Sequence, residues 1–119
     1  MTTNPLGLYV HIPFCVKKCN YCDFCSFRLS DVSVKEEYID SLINEIFSYK
    51  HRKLSLDTIF FGGGTPSLLS CEEFSRIVDA INESFDVTPD CEFTVEVNPG
   101  TITEEKARAF ASKGVNRIS

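Results

Sequence analysis

The hydrophobic pattern of this chain begins with a short extended segment and a longer amphipathic one. Leu6–Ile12 is a β-prone run that Pro13 ends. Further along, apolar residues recur at helical spacing up to position 47, after Ser33 and Glu36 in capping-box arrangement. The pattern therefore predicts a strand, a loop over residues 13 to 27, and then a helix.

The same alternation continues to the end of the chain. A β-prone run at 57–61 stops at three glycines, and the next helix is predicted from its cap, Ser70 with Glu73, and from its apolar stripe: Phe74, Ile77, Val78, Ile81 and Phe85. Alternating apolar residues from Cys91 to Val97 predict a third strand. A third helix is predicted from about Thr103 to Lys113, with Gly114 as its stop, and residues 115–118 are predicted to be extended.

The predicted order is βαβαβαβ, which favours an α/β fold: a parallel sheet or a barrel sector with helices on its outside. The chain ends inside the predicted fourth strand. A parallel strand is normally covered on both faces and paired on both edges. We therefore expect residues 1–119 to be one incomplete, N-terminal part of a truncated barrel domain.

Composition and charge narrow the class of protein. The chain is 43% hydrophobic and 24% charged, with a formal net charge of −5, which argues against a nucleic-acid partner. The basic cluster Lys50, His51, Arg52 and Lys53 is interpreted as a solvated helix end. No apolar run approaches the roughly 18 residues of a membrane span, and no signal peptide is recognisable, so we expect a cytoplasmic protein without a transmembrane segment.

The cysteines carry the strongest chemical signal. Four of the six lie between positions 15 and 25, whereas Cys71 and Cys91 lie apart and are interpreted as structural. Cys15-x3-Cys19-x2-Cys22 follows the first strand, where parallel α/β proteins place active sites. Three thiolates can each bind one iron of a cubane cluster and leave the fourth iron open. Because Cys25 extends the series, a zinc site and a fully ligated electron-transfer cluster remain alternatives.

Three motifs resemble one family. Tyr9-Val10-His11-Ile12-Pro13-Phe14-Cys15 with Cys19 and Tyr21-Cys22-Asp23-Phe24, then Gly62-Gly63-Gly64-Thr65-Pro66-Ser67, and then Glu96-Val97-Asn98-Pro99-Gly100-Thr101 occur in this order. Together they resemble the radical S-adenosylmethionine (SAM) family that includes oxygen-independent coproporphyrinogen III oxidase and the haem chaperone HemW. The resemblance extends over essentially the whole chain.

The resemblance implies a set of site residues. Cys15, Cys19 and Cys22 would ligate a [4Fe–4S] cluster whose fourth iron is chelated by SAM. Gly63, Gly64 and Thr65 would contact the methionine end of SAM, and Glu96 would hydrogen-bond to SAM. Tyr9 would be a further SAM contact, His11 would lie near the cluster, and Tyr21 would form an aromatic wall, although packing within the loop is an alternative for Tyr21.

The resemblance also separates two branches. The oxidase, which converts porphyrinogen propionates to vinyl groups through a SAM-derived radical, carries a further cysteine two residues after the third ligand. That position here is Phe24, and Asp23-Phe24 resembles HemW-like members instead. We therefore favour a haem chaperone with haem as cargo, an electron donor and a haem-accepting protein as partners. The oxidase, another radical SAM enzyme and a module without SAM chemistry remain alternatives.

Overall fold

The computed structural model describes residues 6–15, 27–28, 32–98 and 102–119. Its elements in chain order are β1 (Leu6–Ile12), β2 (Phe14–Cys15), β3 (Phe27–Arg28), α1 (Val32–Phe47), β4 (Ser55–Gly63), α2 (Cys71–Ser84), β5 (Asp86–Val95), α3 (Glu104–Ser112) and β6 (Arg117–Ile118). Two 3₁₀ turns, Lys50–Arg52 and Pro66–Leu68, precede β4 and α2.

The main sheet is parallel throughout, in the order β1-β4-β5-β6. This confirms the predicted α/β class and the βαβ crossovers. β2 and β3 form a second, two-stranded parallel sheet in which Phe14 pairs with Phe27 and Cys15 with Arg28. The pairing was not predicted, and it joins the two ends of the segment that carries the remaining cysteines of the loop.

The core lies between the main sheet and its helices. Alternate residues of β1, β4 and β5 are buried, as expected for strands whose neighbouring side chains point to opposite faces; they are Val10, Ile12, Ile59, Phe61, Phe93 and Val95. From α2, Phe74 packs its ring against Phe61 and against Phe110 of α3, at centroid distances of 5.3 and 4.2 Å. The predicted α2 stripe is buried throughout.

The predicted helix ends are largely confirmed. Ser70 and Glu73 form both hydrogen bonds of a capping box at α2, and the Thr103 side chain caps α3. Gly114 follows α3 with φ +108°, a conformation that favours glycine. α1 begins at Val32, one residue before the predicted cap Ser33, and the Ser33 side chain lies outside the described part.

Three strands differ from the prediction in length, and one of them is β6, which covers Arg117–Ile118 rather than 115–118. β4 extends two residues further at each end, and β5 begins at Asp86 rather than at Cys91. The register of β4 and β5 shifts between Leu56 and Thr58, so the residues from Thr88 to Cys91 interrupt the ladder. Because Pro89 has no N–H to donate, this segment has the sequence pattern of a loop.

No helix in the described ranges is long and apolar enough to cross a membrane.

Candidate ligand pocket at the carboxyl edge of the sheet

A pocket of about 400 Å³ opens at the carboxyl ends of β4, β5 and β6. It is lined by Gly63, Gly64, Thr65, Glu96, Val97, Asn98 and Ser119. In open α/β sheets this edge is where ligands bind. Four of the seven lining residues, Gly63, Gly64, Thr65 and Glu96, are ones that the sequence assigned to a common ligand.

The glycine loop of the pocket is bonded to the chain that leads into the cysteine motif. The Gly64 N–H donates to the Ile12 carbonyl at 2.8 Å, and the Thr65 N–H donates to the Phe14 carbonyl at 2.6 Å. Phe14 directly precedes Cys15 in the strand β2. The first cysteine of the motif and the glycine loop are therefore held side by side by backbone hydrogen bonds.

Glu96 provides the carboxylate of the pocket. It follows the last residue of β5, is half-buried, and its Oε1 accepts a hydrogen bond from the Gly63 N–H at 3.1 Å. Its own N–H donates to the Phe61 carbonyl at 3.0 Å, which continues the ladder between β4 and β5 by one residue. Backbone pairing thus fixes the stem of Glu96, and the glycine loop orients its carboxylate.

The glycines let side chains of neighbouring strands approach the backbone of β4. A Cβ at Gly62 would lie 2.7 Å from Glu96 Oε1, 2.8 Å from Phe60 Cε1 and 3.0 Å from the Tyr9 hydroxyl. A Cβ at Gly63, where φ is +114°, would lie 2.8 Å from both His11 Cε1 and the Ile12 carbonyl oxygen. A Cβ at Gly62 would thus meet only the ends of side chains, whereas one at Gly63 would meet backbone in a strained conformation.

Tyr9 and His11 lie beside the pocket on the open face of the sheet. The Tyr9 hydroxyl and His11 Nδ1 are hydrogen-bonded at 3.1 Å, and the Tyr9 ring stacks on Phe60 at 5.9 Å. Burial, together with the nearby Glu96 carboxylate, raises the pKa of the Tyr9 hydroxyl above its ordinary value. Tyr9 therefore faces the same carboxylate that lines the pocket, although it is itself outside the lining.

The remaining predicted residues fall in the cysteine loop. Cys15 is placed by β2, but its side chain lies outside the described residues, as do Cys19, Tyr21, Cys22 and Cys25. The predicted cluster ligands thus stay a prediction. What the structure does describe is the position of Cys15 next to the glycine loop, where a cluster and a pocket ligand would meet.

Some pocket residues were not assigned a role from the sequence. Asn98 and Ser119 follow the carboxyl ends of β5 and β6, and the Ser119 carbonyl accepts a hydrogen bond from the Val97 N–H at 3.0 Å. The signal that identifies such residues is their position within three residues after a parallel strand, because all such ends share one edge of the sheet.

The pocket has the donors and acceptors that suit the polar end of an amino acid. The Glu96 carboxylate can accept from the N–H groups of an amino group, whereas the loop Gly63-Gly64-Thr65 brings backbone groups and a hydroxyl to the same space without intervening Cβ atoms at the glycines. SAM has such an end, with a free amino and a free carboxylate group. The described residues therefore fit the methionine part of SAM.

Fold and site together define a class: a parallel α/β protein with a cysteine motif after β1 and a ligand pocket beside it at the carboxyl edge of the sheet. The model of the radical SAM superfamily matches residues 9–119. The chain belongs to the radical SAM superfamily, and the resemblance inferred from the three motifs is confirmed. Membership of this superfamily implies SAM and a [4Fe–4S] cluster as cofactors.

Individual relatives are similar over nearly the whole chain. The Heme chaperone HemW of Lactococcus lactis subsp. lactis (strain IL1403) is 44% identical over 119 residues, which cover all of this chain and 31% of that protein. The Heme chaperone HemW of Escherichia coli (strain K12) is 41% identical, with 97% of this chain and 31% of the relative covered. The chain thus spans about a third of the length of these relatives.

A solved structure agrees with the fold. Coproporphyrinogen III oxidase (HemN) from Escherichia coli, described as a radical SAM enzyme, matches with a TM-score of 0.87 and 32% identity. The match covers 96% of this chain and 27% of that one. The parallel sheet and its crossover helices are therefore those of a known radical SAM protein.

Proposed function

We propose that the pocket binds SAM beside a [4Fe–4S] cluster held by Cys15, Cys19 and Cys22. Glu96, Gly63, Gly64 and Thr65 are the pocket residues that contact SAM, and Tyr9 and Tyr21 add aromatic contacts. The observation that carries this proposal is the joining of the glycine loop to Phe14, the residue before Cys15. When bound and reduced, the cluster and SAM supply one-electron chemistry.

In this arrangement the chain's own groups bind and orient the ligand. Glu96 offers an acceptor for the N–H groups of the SAM amino group, and the Gly63 N–H keeps the carboxylate in place by donating to Oε1. Charge-assisted hydrogen bonds of this kind are stronger than neutral ones. Because the glycines lack Cβ atoms, the ligand reaches the backbone of the loop.

A matched pair of variants tests the pocket. Glu96→Gln removes the charge that faces the ligand, whereas Glu92→Gln removes a carboxylate four residues earlier on the same strand face, where it is exposed and paired with Arg117 at 2.7 Å. In the reconstituted full-length protein that carries this chain, we expect about tenfold weaker SAM binding for Glu96→Gln, equivalent to about 1.4 kcal/mol. Equal affinities for the two variants would refute the assignment of Glu96.

We further propose that the whole protein is a haem chaperone, with haem as its cargo. The identity of 44% to a HemW relative over the full chain supports this. So does Phe24, which occupies the position where the oxidase of the same family carries a further cysteine. The same proposal places the protein in the cytoplasm. It also includes two partners, an electron donor for the cluster and a protein that accepts haem.

The second candidate is an oxygen-independent coproporphyrinogen III oxidase, which the structural match to HemN favours. The two functions differ in outcome: one binds haem without chemical change, and the other oxidatively decarboxylates a porphyrinogen. We would reconstitute the cluster of the full-length protein anaerobically and measure haem binding and coproporphyrinogen decarboxylation in parallel. Stoichiometric haem binding without decarboxylation supports the chaperone, whereas turnover overturns it.

A further inference from the structure

The turn that follows the glycine loop is buried and held from two sides by lysines. Pro66, Ser67 and Leu68 form a 3₁₀ turn directly after Thr65, and Ser67 is completely buried. The Lys106 ammonium donates to the Ser67 carbonyl at 2.8 Å, and the Lys35 ammonium donates to the next carbonyl, that of Leu68, at 3.1 Å. Both lysines bind the backbone of the turn that directly follows the glycine loop.

Ser67 also connects the two walls of the pocket. Its hydroxyl accepts a hydrogen bond from the Asn98 N–H at 3.3 Å. Asn98 lies on the wall that follows β5, whereas Gly64 and Thr65, just before the turn, form the wall that follows β4. The distance between the walls thus depends on a buried side chain that does not line the pocket.

Lys106 is fixed on α3 by the cap of that helix. The Lys106 backbone N–H donates to the Thr103 hydroxyl at 3.1 Å, which fixes the Lys106 backbone. The half-buried Lys106 side chain reaches from α3 to the turn Pro66–Leu68. The ammonium bond therefore ties the first turn of α3 to the Ser67 carbonyl. A bond from a charged donor is among the stronger hydrogen bonds of a protein.

We propose that Lys106 and Ser67 are positioning residues for SAM binding, which set the spacing between the glycine loop and the Glu96–Asn98 wall. The Lys106 ammonium donates to the Ser67 carbonyl, and the Ser67 hydroxyl accepts from the Asn98 N–H. These bonds join the glycine loop to the Glu96–Asn98 wall, and the pocket lies between the two. The inference rests on the proposed SAM pocket. Neither residue contacts the ligand in this proposal.

The first test uses Lys106→Met, which keeps the length of the side chain and removes its donor. Lys113→Met is the matched control, because Lys113 caps the other end of α3 and pairs with Asp79 at 2.9 Å, away from the pocket. SAM is titrated into the reduced, reconstituted full-length protein, and the change that SAM causes in the electron paramagnetic resonance spectrum of the cluster gives the affinity.

We expect SAM affinity to fall about tenfold in Lys106→Met and less than twofold in Lys113→Met. Lys106→Arg, which retains a charged donor, should bind SAM within about threefold of the wild type. The spectrum of the cluster without SAM should be the same in all variants, because the proposal concerns the ligand pocket alone. Wild-type affinity in Lys106→Met, with or without reduced thermal stability, would overturn the proposal.

Ser67→Ala provides a second, independent measurement. It removes only the hydroxyl that accepts from Asn98, so we expect a loss of SAM affinity of about three- to tenfold with the cluster content unchanged. Unchanged affinity would count against the role of Ser67. If the wild-type protein itself shows no response to SAM, the proposed pocket fails; if the wild type responds and both variants respond equally, only the positioning role fails.

Discussion

Three side chains of the open sheet face converge at Gly62. A methyl group there meets the ends of the Glu96, Tyr9 and Phe60 side chains, all of which can move. We therefore expect Gly62→Ala to change the free energy of unfolding by less than about 1 kcal/mol. SAM affinity should fall about tenfold, because Glu96 is displaced.

Ligand titration and denaturant unfolding of the same preparations check this prediction. Gly7→Ala is the control, since its methyl group would meet only Thr58 Oγ1, at 2.6 Å, on the same sheet but nearer the start of β1. A Gly62→Ala protein with wild-type affinity would show that Glu96 tolerates displacement.

Gly63 should behave in the opposite way. Its φ of +114° is a conformation that L side chains rarely adopt, and a Cβ would press on the Ile12 carbonyl oxygen, which cannot move without the strand. We expect Gly63→Ala to lower the free energy of unfolding by about 1–3 kcal/mol, as measured by denaturant unfolding without SAM. Wild-type stability in this variant would mean that the loop relaxes to accept the methyl group.

The residues at the pocket show how far the sequence predicts a site. Gly63, Gly64, Thr65 and Glu96 were assigned to SAM because their motifs resemble the radical SAM family, and the structure brings all four to one pocket. Lys35 was given no role from the sequence, yet it is buried and pairs with Glu73 at 3.0 Å. A long side chain that reaches another helix leaves no periodic signal in the sequence.

At the scale of elements, Lys35 and Glu73 join α1 to α2. Burial opposes ionisation of Glu73, but hydrogen bonds from Ser70 and the Lys35 ammonium outweigh burial and hold the pKa of the Glu73 carboxyl below its ordinary value of 4.5. A carboxyl whose pKa is lower in the folded state stabilises the fold at pH values above its unfolded pKa. This contribution is lost as the pH falls through the folded pKa.

We therefore expect Glu73→Gln to be less stable than the wild type at neutral pH, with a difference that shrinks as the pH falls below about 4.5. Glu72→Gln, which changes an exposed carboxyl in the same helical turn, is the control and should show a smaller difference. Unfolding free energies of the three proteins between pH 7 and pH 3 provide the measurement. A difference independent of pH would contradict the ionic role of Glu73.

The elements that the sequence predicted well have strong local signals. The capping box and stripe of α2 specify both its start and its buried face, and both are confirmed. The predicted start of β5 was wrong because Pro89 and two aspartates are typical of a loop sequence. The strand is held there by its pairing with β4. Similarly, β2 and β3 are two residues each, too short for any periodicity to show.

At the scale of the whole molecule, the described helices cover one face of the sheet and leave Tyr9, 57% exposed, on the other. The order of elements predicted the parallel sheet, since βαβ crossovers leave few alternatives. The ligand could not be predicted from the order alone: it required the spacing of the cysteines and the two motifs at the strand ends. Fold and ligand are therefore specified by different parts of the sequence.

The cluster and the pocket should both contribute to the stability that SAM gives to the whole protein. A ligand that binds only the folded state at 100 times its dissociation constant stabilises the fold by about 2.7 kcal/mol. We expect SAM to raise the unfolding temperature of the reconstituted full-length protein accordingly. After the cluster is removed by oxidation and chelation, the shift at the same SAM concentration should fall by at least half, because the pocket then holds SAM without the iron to which its amino and carboxylate groups bind. Thermal unfolding of both forms, each with and without SAM, is the measurement. An equal shift in the two forms would mean that the pocket binds SAM independently of the cluster. This result would contradict the proposal that SAM binds to the cluster and to the glycine loop beside Cys15 together.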